Sequence, residues 1–232
     1  MTDALSSLHG SIKTGNRRQT VLTPDYILDA VRVVFRGRIQ YDPCGASGSL
    51  VDAAATNQID WGSVRDGILA RASIVAPEHA QTIVGILAGD IRAKDAPPGA
   101  ARGAAVVRKQ LAIDFAASSG HTQEWPDGTF VNPGYGDSGP ECLLAPFRSF
   151  CRAFADCPNE VIMLGPVRPN RKWWRADVLL GSHAVCYLDP VTFHEWPATF
   201  PAPLCAAYRG ARGAAFRDAF AHLGTTVKSL RI

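Results

Sequence analysis

The octet Thr129-Phe130-Val131-Asn132-Pro133-Gly134-Tyr135-Gly136 runs an apolar stretch into a turn that offers an amide, a proline carbonyl and an aromatic ring together. That set of groups has a chemical use. An exocyclic amine on a nucleobase is a poor nucleophile, because its lone pair is delocalised into the ring. Two acceptors placed on its two N–H groups draw the nitrogen toward a tetrahedral shape and aim the lone pair at an electrophile. The catalysis is positioning plus preorganised electrostatics and needs no metal. The Asn132 side-chain oxygen and the Pro133 carbonyl are the candidate acceptors, and Tyr135 is the candidate ring to stack on the base. The same octet suits, on equal terms, a polar turn after a buried strand, where Asn, Pro and Gly recur for conformational reasons.

Such a turn needs a sheet to present it and a second site for the electrophile. Ile39-Gln40-Tyr41-Asp42 reads as a short strand, followed by Pro43-Cys44-Gly45-Ala46-Ser47-Gly48 and an alanine-rich stretch. A strand, a small-residue turn and a helix form the arrangement that cradles nucleotides in open α/β sheets, although the strict GxGxxG pattern is absent. A generic small-residue turn fits these residues as well. Asp60, eighteen residues after Asp42, has the spacing of an acid that holds a ribose hydroxyl at the end of a second strand, Gln58-Ile59-Asp60. A surface acid is the default for it. Leu111-Ala112-Ile113-Asp114-Phe115 reads as a further strand ending in an acid.

Thr23-Pro24-Asp25 is a helix start, with Thr at the cap, Pro at the first helical position and an acid in the first turn. Ile27, Ala30, Val31 and Val34 follow at helical spacing. From 61 to 110 the chain reads as helices: Val64, Ile68 and Leu69 on one, Ile83, Val84, Leu87 and Ile91 on a second after Pro77, and Ala100 to Lys109 as a third. This segment is a substrate-recognition insertion, a lid, a dimer surface or an ordinary helical layer. Pro146 to Ala155 is a helix with Phe147, Phe150, Cys151 and Phe154 inward, and Glu160 to Pro166 is a buried strand. Val167 to Arg175 then holds four cations and two tryptophans in nine residues. Cations track phosphates and aromatic rings stack at bases. Arg168, Arg171 and Lys172 are read as facing a ligand, and the two tryptophans as core. His183 to Leu188 is a strand, Asp189 to Tyr208 a proline-rich excursion, and Arg209 to Leu223 a last helix.

The 232 residues, 47% hydrophobic, suit one α/β domain with an insertion, here 20–232 with helices over 61–110, behind a polar, disordered lead-in over 1–19. No apolar run reaches the length of a membrane span. The net charge of +3 permits an anionic partner without demanding one. Six cysteines without a CxxC pair, and six scattered histidines, point away from zinc and toward a reduced, cytoplasmic protein.

The order of these motifs resembles adenine-specific DNA methyltransferases that use S-adenosylmethionine, and within them the compact phage-type adenine-N6 enzymes. The likeness covers roughly Val21 to Phe193. It implies a Rossmann-like fold, a mostly parallel sheet with helices on both faces and a helical insertion. It implies that Thr23 and Pro24 touch the methionine end of the cofactor. Asp42, Pro43, Cys44, Gly45, Ser47 and Gly48 stand for its Asp-Pro-x-x-Gly-Ser-Gly loop, with Ala46 where a glycine is usual. Asp114 and Phe115 stand for the pair that meets the cofactor adenine, and Asn132-Pro133-Gly134-Tyr135 for the catalytic Asn-Pro-Pro-Tyr. Met163 to Trp174 resembles the phage-type run that ends in two tryptophans. The resemblance further implies a DNA substrate with its base flipped out, and a bacterial or phage-infected cell. Gly134 departs from the family proline; it keeps both acceptors and frees the turn. Two alternatives stand beside this reading: transfer to another amine (cytosine N4, an RNA base or a protein amide), and an inactive DNA-binding member of the fold.

Overall fold

The computed structural model describes residues 22–45, 49–57, 61–88, 90–114, 119–135, 147–194 and 198–228. The chain enters through helix α1 (Asp25–Val34), which buries Ile27, Leu28, Ala30, Val31 and Val34. Strand β1 (Tyr41–Asp42) follows, and beside it β2 (Ala55–Thr56). Three helices come next, α2 (Trp61–Val75), α3 (Ala80–Ala88) and α4 (Pro98–Asp114). Then come β3 (Thr129–Val131), α5 (Phe147–Asp156), β4 (Val161–Pro166) and a short α6 (Lys172–Trp174) that continues as a π-turn over Arg175–Leu179. Strands β5 (Ala184–Leu188) and β6 (Leu204–Arg209), helix α7 (Gly213–Phe220) and β7 (Gly224–Lys228) complete it.

These strands form one sheet of seven, in the order β2-β1-β3-β4-β6-β5-β7. The sheet is mixed rather than mostly parallel. The pairings of β2 with β1, β1 with β3, and β3 with β4 are parallel. The pairings of β6 with β4, β6 with β5, and β5 with β7 are antiparallel. Side chains alternate across the sheet, as the two-residue period of a strand requires. Phe130, Ile162, Leu164, Ala184, Cys186, Ala206 and Tyr208 face α1 and α7. Val131, Val161, Met163, Val185, Cys205 and Ala207 face α5 and the π-turn. Helices therefore cover both faces, as expected.

The helical segment expected over 61–110 runs to Asp114 and packs on itself. Val64, Ile68 and Ala72 of α2, Ile83, Val84 and Leu87 of α3, and Ala100, Ala104, Val107 and Leu111 of α4 form a core separate from the two beside the sheet. This corrects the strand expected at Leu111 to Phe115. Leu111 extends the buried stripe of α4 at the four-residue step from Val107, while Ile113 lies on the outer face, 62% exposed. A run of apolar residues that reads as a buried strand is here the last turns of a long helix.

The second strand is Ala55–Thr56, ahead of the expected Gln58 to Asp60, which lies outside the described residues. Two strands lie where none was expected. The end of the proline-rich excursion is β6, inserted between β4 and β5, and the residues after α7 form the edge strand β7. The expected last helix over Arg209 to Leu223 is α7 alone. Among the described residues no helix is long and apolar enough to cross a membrane.

Candidate functional site

After β1 the chain lays β2 on one side of it, passes through α2 to α4, and returns with β3 on the other side. The strand order thus reverses at β1, and the crevice beyond the carboxyl ends of β1 and β3 is where open α/β sheets bind ligands. Asp42 is the last residue of β1, and Asn132-Pro133 follow the last residue of β3. The register pairs Tyr41 with Thr129, so the acid and the amide come out at the same edge of adjacent strands.

Asp42 is 4% exposed, and its turn is tightly made. Its Oδ1 accepts the Cys44 N–H at 2.9 Å, and its carbonyl accepts Thr56 Oγ1 at 3.1 Å and the Asn57 N–H at 3.0 Å. Burial pushes its carboxyl up to about 6, partly opposed by the Cys44 N–H. Two glycines make room for the turn. A β-carbon on Gly45 would lie 1.6 Å from Thr56 Oγ1, and one on Gly120 would lie 1.9 Å from the Pro43 carbonyl oxygen. The loop at Gly120 therefore walls the Asp42-Pro43 turn, a role nothing in its sequence signals.

Asn132 is held at both ends of its amide. Its Nδ2 donates to Thr23 Oγ1 at 2.8 Å, and its Oδ1 accepts the Tyr135 hydroxyl at 2.5 Å. Burial holds the Tyr135 hydroxyl well above its ordinary range, so it stays protonated and able to donate. The Tyr135 ring sits among phenylalanines, edge-on to Phe147 at 5.9 Å and to Phe200 at 5.6 Å and tilted against Phe193 at 6.4 Å. Pro133 is buried and Gly134 partly exposed.

Phe193 and Phe200 come from the excursion between β5 and β6. Strand β5 runs parallel to β4, because both are antiparallel to β6, so the β5–β6 connection lies at the same edge as Asn132. That connection also grips the segment just ahead of α1: Leu22 and His194 form a β-bridge, and His194 Nε2 lies 3.3 Å from Asp25 Oδ2. No periodicity in the sequence marks Phe193 or Phe200.

Of the remaining candidates, Thr23 and Pro24 are buried at this edge and Cys44 is partly buried beside Asp42. Thr23 does not cap α1; Pro24 takes the cap position with no side-chain bond, and the Thr23 hydroxyl serves Asn132 instead. Arg168 and Arg171 are exposed in the loop leaving β4, again at the carboxyl edge, and Lys172 is exposed at the start of α6, while Trp174 is core and Trp173 is half-buried against Phe147. Asp114 ends α4 rather than a strand. Ser47, Gly48, Asp60 and Phe115 lie outside the described residues. No group of three or more His, Cys, Asp or Glu among the described residues is placed to hold a metal ion. Comparison of the chain with protein-family models, curated proteins and solved structures finds no match.

Proposed function

We propose that this chain is an S-adenosylmethionine-dependent methyltransferase of Rossmann-like fold that acts on the N6 amine of adenine in DNA. The observation that carries the reading is the meeting of Asp42 and Asn132-Pro133 at the carboxyl ends of adjacent parallel strands, where the strand order reverses. The residues suit the cofactor. Gly45 lets the turn after β1 pack directly against Thr56, and Asp42 is a buried carboxyl suited to a cationic ligand. Asp42, Pro43, Cys44 and Gly45 would hold the cofactor, with Pro24 beside them. Bound there, it supplies a methyl group made electrophilic by a sulfonium.

The chain's own part is to prepare the amine. The Asn132 oxygen keeps a second lone pair beyond the one given to Tyr135, and that lone pair accepts one N6–H. The Pro133 carbonyl accepts the other. Together they localise the nitrogen lone pair and aim it. The aromatic group of Tyr135, Phe147, Phe193 and Phe200 gives the base an apolar wall that excludes water. Arg168, Arg171 and Lys172 meet phosphates along the same edge.

The test is transfer of a labelled methyl group from S-adenosylmethionine to unmethylated genomic DNA, with nucleoside digestion and mass spectrometry. Label in N6-methyladenine, reduced about 10²- to 10³-fold by Asn132→Ala, supports the reading. Label in another nucleoside moves the reaction to a different amine. A wild-type chain that binds neither S-adenosylmethionine nor its demethylated product overturns it.

A further inference from the structure

A threonine immediately before a helix-starting proline ordinarily spends its hydroxyl on the helix, accepting an N–H of the first turn. Thr23 does not. Helix α1 has no side-chain cap, and the Thr23 hydroxyl is turned to the Asn132 amide, 109 residues away in the chain. Thr23 is only 3% exposed, and its backbone is clamped on both sides. Leu22 is bridged to His194, and the Pro24 carbonyl accepts the N–H groups of Ile27 and Leu28. The hydroxyl is therefore a fixed point to which the turn after β3 is tied.

The two ends of a primary amide are nearly equal in size and opposite in hydrogen-bonding sense. Half a rotation of Asn132 about its last side-chain bond would set its NH2 against the N–H groups of a substrate amine, donor against donor. In the observed orientation Nδ2 is committed to Thr23 Oγ1, which leaves Oδ1 as the end shared by Tyr135 and the substrate. The Thr23 and Tyr135 hydroxyls each donate and accept, so what the Thr23 bond adds is an anchor that fixes the place of the Asn132 side chain against a buried, clamped residue.

We propose that Thr23 is a positioning residue for the transfer reaction: its buried hydroxyl, bonded to the Asn132 amide, holds that side chain in place beside the substrate amine. This rests on the methyl-transfer reading above, and it differs from the cofactor contact that the sequence resemblance assigns to Thr23.

The test compares the full chain with Thr23→Val, which keeps the shape and loses the hydroxyl, and with Thr23→Ser, which keeps the hydroxyl. Three quantities are measured: single-turnover methyl transfer at saturating S-adenosylmethionine, cofactor Kd by calorimetry, and hydrogen exchange of the Asn132 side-chain NH2 by 15N NMR in the ligand-free protein. Thr23→Val is expected to lower the transfer rate about 10- to 100-fold. It leaves the cofactor Kd near the wild-type value and speeds exchange of the Asn132 amide, and Thr23→Ser restores rate and protection together. A Thr23→Val protein with wild-type rate overturns the proposal. So does one that weakens cofactor binding while the Asn132 amide stays protected, since Thr23 then acts on the cofactor. Absence of methyl transfer by the wild-type chain overturns the underlying reading and the positioning role with it. Loss confined to the Thr23→Val variant cannot be confused with that result.

Discussion

Two buried acids mark the two ends of the sheet, and they are provided for in opposite ways. Glu160, just ahead of β4, is 8% exposed and fully partnered. Arg212 reaches it through Nε at 2.9 Å and through Nη2, the Tyr208 hydroxyl donates to it at 2.5 Å, and the Arg212 N–H donates to that same hydroxyl at 2.6 Å. The hydrogen bond to Glu160 raises the Arg212 guanidinium, which already sits far above neutral pH. Asp42, at the carboxyl edge, is buried to a similar degree, yet among the described residues the influences on its charge are burial and one backbone N–H. A cavity of about 430 Å³ opens beside Glu160 and Arg212, where the Glu160 carboxylate is already met by Arg212 and Tyr208. The difference teaches where to look for chemistry. A buried acid with its cation supplied by the fold is architecture, whereas a buried acid left short of positive charge is a candidate to meet a ligand.

The comparison breaks most visibly at Arg212. Arg212→Ala leaves Glu160 buried without its cation, and the expected cost is about 3 kcal/mol of folding stability, read from the midpoint of urea unfolding. At temperatures where the variant stays folded, S-adenosylmethionine binding is unchanged. An equal loss of cofactor affinity would erase the distinction between the two ends.

Asp42→Asn sharpens it. The folded-state pKa of about 6 lies above the ordinary value of 3.8, so the native chain holds this proton more tightly than the unfolded one. The stabilisation is complete below about pH 4 and is lost as pH rises through 6, by up to about 3 kcal/mol. Asp42→Asn is neutral throughout and is expected to be the more stable protein above pH 6 and to lack this pH dependence in thermal unfolding. Ligand binding runs the other way. A carboxylate is needed to meet a cationic ligand, so wild-type affinity for S-adenosylmethionine rises between pH 5 and 7. Asp42→Asn binds weakly across that range. A wild-type affinity that is flat with pH would remove Asp42 from the binding site.

The smallest effect belongs to the turn itself. Gly45→Ala sets a β-carbon against Thr56 Oγ1, a side chain that can partly give way. The expected cost is about 1 to 2 kcal/mol of stability, with a loss in cofactor affinity as the turn that carries Asp42 shifts. Calorimetric titration of the variant checks this; unchanged affinity would show that the Gly45 turn is spacing for the sheet alone.

Much of this arrangement was legible in short stretches. The apolar period of Ile27, Ala30, Val31 and Val34 made α1, and the run from Val161 to Pro166 made a strand buried on both faces. Asp42-Pro43 and Asn132-Pro133 each closed an apolar stretch, and both ended at the carboxyl edge of the sheet. The errors came where local pattern carries little information. Leu111-Ala112-Ile113 is as apolar in a helix as in a strand, and only its packing against α2 and α3 decides. Strand β6 is hidden by the prolines before it and has small residues facing both layers, so its place depends on β4 and β5 being there to pair with.

What the sequence determined by itself was the chemistry at each turn and the helices whose period is written within a dozen residues, because backbone preferences and side-chain spacing act over that range. The tertiary structure alone decided that Thr23 meets Asn132, that Phe193 and Phe200 enclose Tyr135, and that among the described residues Asp42 is buried without a cation beside it while Glu160 has Arg212. Those facts depend on strand order and on what each group loses of its water, and both are set by partners a hundred residues away.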